Sequence, residues 1–339
     1  MMLSPQKYET IRRLEGGSFG DVFLVRHKHL DRLEAAKIIK TINVSSALNE
    51  AKTIQQLHHE NIIQIYDADL LPVSDGIFIT MEYHPKGSVG SISFIGRKQL
   101  VDIVTHVLRA LEHAHGKGFL HRDIKPNNIL LSNKKKAILT DFGLSAKIDD
   151  LGSAPPLWYK FHKAPETISG REKDNARTDL YSLGVTMHRM INGEPSWLRT
   201  IDSGDLNKQI LRGKYPDRTT YRPDIPMALV KIINKALSVD PIKRYQSAKE
   251  MLKAVECKAI FEFDWVENGG IWQARIHNLA VRIETDRKGK LIDIITSKKR
   301  TGASQYRRIN KYCFYDRSSE EARTIIRNIM TNIDSGVIS

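Results

Sequence analysis

The sequence predicts an α+β protein: a β-rich N-terminal part, a helix-rich middle, and a small antiparallel sheet closed by a helix at the C-terminal end. Three observations support this. From Tyr8 the chain reads as paired strands joined by a glycine turn, and apolar residues recur at helical spacing between residues 99 and 116. After residue 260 the texture changes to short alternating runs punctuated by turn residues. With 339 residues, 41% hydrophobic and 27% charged, the chain can bury one large core or two modest ones, so two or three domains are expected.

Taken in order, the first strands cover 10–14 and 21–26, with Glu15-Gly16-Gly17-Ser18-Phe19-Gly20 between them. Glycines let a backbone approach phosphate oxygens closely, although a glycine-rich hairpin turn is also ordinary. Lys37 lies on a third strand, Glu34-Ala35-Ala36-Lys37-Ile38-Ile39; alone, a strand lysine reads as a solvated group. An amphipathic helix follows, with Ala47, Leu48, Ala51, Ile54 and Leu57 as its apolar face and Glu50 at its head, closing at His58-His59. Residues 77–84 form an apolar strand that turns at Pro85-Lys86-Gly87-Ser88. Val101, Val104, Val107, Leu108, Leu111 and Ala114 make the core face of the helix over 99–116. Phe119-Leu120, 129–131 and 137–139 read as strands, with Lys134-Lys135-Lys136 as a solvated hairpin tip. Further helices are expected at 228–238 and 246–257. In the tail, strands over 260–266, 272–277, 280–284 and 291–296 alternate with turns at 268–270 and 286–289. Ser318-Ser319-Glu320-Glu321 is a capping box for a final helix, whose stripe of Ala322, Ile325, Ile326, Ile329, Met330 and Ile333 should pack on the sheet rather than bind a partner.

The chemistry concentrates in His121-Arg122-Asp123-Ile124-Lys125-Pro126-Asn127-Asn128, followed by Asp141-Phe142-Gly143. A loop Asp can accept the proton of an attacking hydroxyl, a nearby Lys can neutralise a transferring phosphoryl group, and an Asn with a second Asp can hold Mg²⁺ through oxygens. Each piece alone could be a polar surface turn. Their order, and the apolar runs flanking both, favour the chemical reading.

On these residues the chain resembles the eukaryotic-like serine/threonine protein kinase family over residues 8 to about 257. The resemblance implies a bilobal protein kinase fold, with a β-rich small lobe over 8–84 and a helical large lobe over 85–257. The tail, 258–339, is a basic β-α module outside the resemblance. It further implies Asp123 as general base, Lys125 against the γ-phosphate, Lys37 on the α- and β-phosphates paired with Glu50, and Asn128 and Asp141 on Mg²⁺, with Mn²⁺ as the alternative ion. ATP would lie under Gly17, Ser18, Phe19 and Gly20, between Val22 and Ala35 above and Leu130 below. Met81 would line the back of the pocket, and the backbone of Glu82 and His84 would meet adenine. Arg122 beside the base marks a subclass switched by activation-loop phosphorylation, with Ser153 the most central hydroxyl and Ser145 and Tyr159 its rivals. Asp179-Leu180-Tyr181-Ser182-Leu183-Gly184-Val185 resembles the central helix of the large lobe, and Arg244 the partner of Glu166.

Several positions depart from the pattern. Glu15 stands where the first glycine would be, Glu34 where an apolar residue is usual, which suggests an exposed edge, and Tyr159 and His162 where Thr and Tyr would be. The expected activity is ATP- and Mg-dependent phosphorylation of protein Ser/Thr hydroxyls, autophosphorylation included, with the tail recognising a substrate, partner or signal. A pseudokinase scaffold is the alternative.

Charge and cysteines bound the setting. Lys plus Arg exceed Asp plus Glu, 53 to 39, giving a net +14 and a pI near 9.6, which suits an anionic partner or is simply a soluble surface. Within 258–339 there are 15 basic and 10 acidic residues, concentrated around Lys298-Lys299-Arg300 and 306–312. Basic groups interleaved with aromatics can bind an acidic protein or nucleic acid, and can equally form a solvated strand face. Cys257 and Cys313 show no metal-ligand spacing and read as reduced intracellular thiols. With no secretory signal and no apolar stretch of membrane-spanning length, a cytoplasmic protein with no membrane contact is expected.

Overall fold

The computed structural model describes residues 7–17, 20–40, 57–71, 76–142, 161–171, 174–193, 205–219, 221–258 and 264–336, together with Val44, Leu48, Ala51 and Gln55, which are helical. The N-terminal lobe is an antiparallel five-stranded sheet in the order β1-β2-β3-β5-β4. Its strands are β1 (Tyr8–Gly17), β2 (Gly20–His27), β3 (Arg32–Lys40), β4 (Ile65–Leu70) and β5 (Gly76–Glu82). Side chains alternate between faces along a strand, so the register Lys37 to Val22 and Ile79, and Ala35 to Leu24 and Met81, puts these residues on one face. Ala36, Ile38, Val25 and Phe78 go to the other, where Tyr8 and Leu71 cover them.

Glu34 overturns an expectation. It is not at an exposed edge: β3 lies between β2 and β5, and Glu34 is fully buried. Arg32 holds it from two residues away, Nε at 3.0 Å and Nη2 at 2.7 Å from the same carboxylate oxygen, and stacks its own guanidinium 3.7 Å over the Tyr66 ring. The local Arg makes burial of the carboxylate tolerable where an apolar residue would otherwise sit.

The large lobe is built on α1 (Arg97–Gly116) and α3 (Ala176–Asn192). α1 ends where Phe119 N–H returns to Ala114 carbonyl at 2.9 Å with Gly118 at φ +80°. Phe119-Leu120 is therefore the exit of a helix and not the strand expected of it. The hairpin of β6 (Ile129–Leu131) and β7 (Ala137–Leu139) turns at the three lysines as expected. α2 (Pro165–Ile168), α4 (Leu206–Leu211), α5 (Met227–Ala236) and α6 (Ala248–Lys258) complete the lobe. Gly184 of α3 faces α5 so closely that a Cβ there would stand 3.0 Å from that of Ala236. The Glu166–Arg244 pair forms as expected, with both contacts at 2.6 Å and both side chains buried.

The C-terminal module is a sheet in the order β12-β11-β10-β9-β8, with β13 also on β11, closed by α7 (Ser319–Asp334). Its strands are β8 (Val266–Asn268), β9 (Ile271–Ile276), β10 (Leu279–Lys288), β11 (Leu291–Arg300), β12 (Arg307–Arg308) and β13 (Phe314–Arg317). β10 and β11 run longer than the alternation suggested, because ladder pairing continues through the charged residues to a turn at Gly289, φ +65°. The capping box at Ser318 and Glu321 is reciprocal, and Ala322, Ile326, Ile329, Met330 and Ile333 pack on the sheet in one cluster with Trp265, Trp272, Val281 and Ile283.

This module is fastened to the large lobe. α1 has no cap of its own; Asp264 supplies one from the tail, accepting from Lys98 N–H at 2.6 Å. Gly96 leaves the room for it, since a Cβ there would lie 2.6 Å from the Asp264 carboxyl carbon. Arg97, 1% exposed, forks onto Asp334 at the end of α7, with Nη2 to Oδ1 at 2.6 Å. Arg327 donates to Tyr221 carbonyl at 3.1 Å, and Phe94 meets Trp272 edge to face.

Candidate active site

The loop between α1 and β6 is held by Asp179, in the first turn of α3. Its buried carboxylate accepts from the backbone N–H of His121 at 2.9 Å and Arg122 at 2.8 Å, and from His115 Nε2 at 2.8 Å. Arg122 sits at φ +66° and Asp141 at φ +63°, conformations that cost L-residues about 1 kcal/mol and persist when the surroundings impose them. His121 is buried, which keeps its ring neutral against the pull of Asp179 and Asp123. Its Nε2 donates to Thr140 carbonyl at 2.8 Å while Nδ1 accepts from Asp123 N–H at 3.2 Å. One imidazole thus ties the Asp123 loop to the segment leading into Asp141, and its ring rests on Phe142 at 4.7 Å.

The functional side chains converge on this frame. Asp123 Oδ2 receives Lys125 Nζ at 2.6 Å and Asn128 Nδ2 at 2.8 Å, and the same amide donates to Asp123 carbonyl at 2.8 Å. Both side-chain hydrogen bonds fall on Oδ2 and neither on Oδ1 of Asp123. From the small lobe, Lys37 reaches across to Asp141 Oδ1 at 2.7 Å. Burial works against ionisation of Asp141, yet the Lys37 ammonium, with Lys125 further off, holds its carboxyl below the usual range. Thr140 N–H bonds Asn128 carbonyl at 3.0 Å, so the two acidic segments are coupled through the backbone as well.

Five of the residues read from the sequence are therefore brought together: Lys37, Asp123, Lys125, Asn128 and Asp141. Ala35 and Met81 are buried members of the main hydrophobic cluster, and Val22 and Leu130 pack against it. Gly17 pairs with Gly20 at the end of the β1-β2 hairpin. The His84 ring is buried, with Nε2 3.4 Å from Glu82 Oε2, so a ligand would meet His84 through its backbone. Glu50, Ser18, Phe19, Ser145, Ser153 and Tyr159 lie outside the described residues, and the expected Lys37–Glu50 pair with them. His121 and Asp179 were not singled out as site residues. His121 opens the His121–Asn128 motif, but its bridging role depends on Thr140 and Phe142, which come from the other segment.

A divalent cation fits the donor set. With Asn128 Nδ2 committed to Asp123, its Oδ1 and the Asp141 carboxylate, a quarter exposed, are hard oxygen donors. Among the described residues no cluster of three or more His, Cys, Asp or Glu could hold a metal alone. Two protein oxygens completed by water and phosphate oxygens are what Mg²⁺ accepts.

A sequence profile of the protein kinase domain matches residues 8–255. The chain belongs to the protein kinase family. Its kinase region is similar to the serine/threonine-protein kinase PrkC of Bacillus subtilis, 28% identical over 281 residues, covering 76% of this chain and 41% of the relative. The serine/threonine-protein kinase STE20 of Candida glabrata is 32% identical over 263 residues, covering 73% of this chain and 27% of the relative. A probable serine/threonine-protein kinase of Streptomyces coelicolor is 29% identical, covering 74% of this chain and 39% of the relative. The chain thus spans less than half the length of these relatives. No helix among the described residues is long and apolar enough to cross a membrane.

Proposed function

We propose that the chain is an ATP- and Mg-dependent serine/threonine protein kinase that also phosphorylates itself. The observation that carries this is the hydrogen bonding of Lys37 to Asp141 and of Lys125 and Asn128 to Asp123, the two sets joined through the Thr140–Asn128 backbone bond. Bound Mg²⁺ would neutralise the triphosphate and be held by Asn128 Oδ1 and Asp141. Lys37 would bind the α- and β-phosphates and Lys125 the γ-phosphoryl oxygens, drawing away from Asp123 as it does so. A substrate hydroxyl oxygen forms its bond to the γ-phosphorus as the bridging P–O bond breaks and ADP leaves. The hydroxyl proton passes to Asp123 Oδ1. A lysine two residues after the base favours Ser and Thr as acceptors, and the names of the relatives agree with that. A module fastened to the large lobe, rather than hung on a linker, supports substrate or partner recognition at a fixed distance from the cleft.

Labelled ATP with Mg²⁺ tests the assignment. Wild type should label itself or a generic protein on Ser and Thr, and Asp123→Asn should lower the rate by about 10²–10⁴-fold, with Lys37→Met also severely impaired. Transfer that survives both substitutions would exclude this site. Thermal stabilisation by Mg-ATP with no transfer at all would make the chain a scaffold.

A further inference from the structure

The face of the C-terminal sheet turned away from α7 carries groups that the kinase site does not use. Across β9, β10, β11 and β12 the register aligns Gln273, Arg282, Ser297 and Arg308 in one row. Directly paired residues share a face, and Val281 and Ile283, to either side of Arg282, lie in the core against α7, so the row faces outward. Ser297 is only 4% exposed and its Oγ is buried with no hydrogen-bond partner. Arg282 Nε, directly across the ladder, is likewise buried and unpartnered. Both can donate, and an Nε–H can only donate. Burying a donor without an acceptor is destabilising, and one oxyanion would satisfy the pair.

Cations surround them. Arg308 is exposed beside Ser297, and Lys299 stands one outward position along β11. Tyr306 braces two of these groups, its ring centre 4.9 Å from Lys299 Nζ and 5.8 Å from the Arg282 guanidinium carbon. The carboxylate against the cluster is Glu284, 2.9 Å from Arg282 Nη2 and 37% exposed, able to swing aside.

We propose that this face binds a phosphorylated Ser or Thr segment of a protein, its phosphate seated on Arg282, Ser297 and Arg308 with Lys299 adding charge. The proposal rests on the kinase reading above, since a phosphomonoester, with a charge of about −1.5 to −2 and three acceptor oxygens, is what that reaction makes. Arginine forks and a hydroxyl match it. A nucleic-acid track fits less well. The basic zone ends at Glu284 and at the facing Asp286 and Asp293 on the same face, and the Tyr306 ring that could stack a base is engaged by two cations already.

The test is fluorescence anisotropy on the full chain without ATP, using a phosphoserine peptide, its unphosphorylated form, inorganic phosphate and a single-stranded oligonucleotide. The phosphopeptide should bind at least about tenfold tighter than its unphosphorylated form, and Arg308→Gln or Arg282→Gln should weaken it about tenfold, the loss of one charged hydrogen bond. Ser297→Ala should weaken it severalfold and Glu284→Gln tighten it, with autophosphorylation unchanged in Arg308→Gln and Ser297→Ala, the thermal midpoint unchanged in Arg308→Gln, and Ser297→Ala, which removes an unsatisfied buried hydroxyl, melting no lower than wild type. Asp123→Asn should bind normally while losing transfer, which separates failure of this site from failure of the kinase assignment. Equal binding of the two peptides, binding of free phosphate without preference for the phosphopeptide, or an oligonucleotide that outcompetes it would each overturn the proposal.

Discussion

Asp179 illustrates how a residue outside the candidate catalytic set can fix the loop that carries it. Its carboxylate takes three donors at once, two backbone N–H groups of the catalytic loop and His115 Nε2. An amide in its place would turn its NH₂ toward a donor, so Asp179→Asn forces at least one contact open and releases Arg122 from φ +66°. The expected outcome is a fall in kcat of about 10²-fold, the scale of a 1 Å misplacement. KM for ATP should change less than kcat, because Lys37, proposed to bind the α- and β-phosphates, stands on β3 and makes no contact with Asp179. Steady-state kinetics with varied ATP separates this from simple unfolding, which would lower active enzyme without that split. Glu34 makes a different point at the same scale: a charge in an apolar position is accommodated by an Arg two residues away, on the same strand and the same face.

At the scale of elements, α3 couples the site to acid stability. His188 is fully buried in this helix and donates Nε2–H to Asp217 carbonyl at 2.7 Å. Burial depresses its pKa from 6.5 to about 4. The unfolded chain takes up the proton first as pH falls, so the stability His188 contributes is fully present above about 6.5 and is lost on the way down to about 4. The size is on the order of 3 kcal/mol, added to losses of the same sign from His121 and His162, also held low by burial. His188→Gln can keep a donor to Asp217 without a proton to gain. Urea midpoints measured from pH 7.5 to 4.5 should fall less steeply in that variant than in wild type, and parallel curves would show that His188 does not drive the loss.

The whole molecule behaves as a kinase domain with its tail built in. Asp264 caps α1 and Asp334 neutralises Arg97 beneath it. Arg97 is the more deeply buried member, 1% exposed against 22% for the Asp334 side chain. Asp334→Ala takes the carboxylate from a guanidinium that is itself buried and keeps Asp224 carbonyl at 3.5 Å among its other contacts, while Arg97→Met leaves the more exposed partner behind, so Asp334→Ala should destabilise more. The double variant should recover toward Arg97→Met alone. Thermal melts of the four proteins in full-length form give the comparison. If Asp334→Ala were the milder change, the pair would contribute little to holding the module.

Legibility followed the range of the interactions. Most candidate site residues, Asp123, Lys125, Asn128 and Asp141, occupy two short motifs whose order and spacing suggest their chemistry, and the α7 stripe and capping box are local patterns read from one helix. The true extents of β10 and β11, the burial of Glu34 and the non-strand at Phe119-Leu120 were not, because pairing partners rather than alternation decide where a strand runs. From residue order alone came the kinase family, the candidate phosphoryl-transfer residues and most of the elements, because each is a local pattern. Folding was needed to show that Arg97 meets Asp334, 237 positions away, and that Arg282 Nε and Ser297 Oγ lie across one ladder as unused donors. Both are contacts between side chains with no shared local pattern, brought together by sheet register and lobe packing.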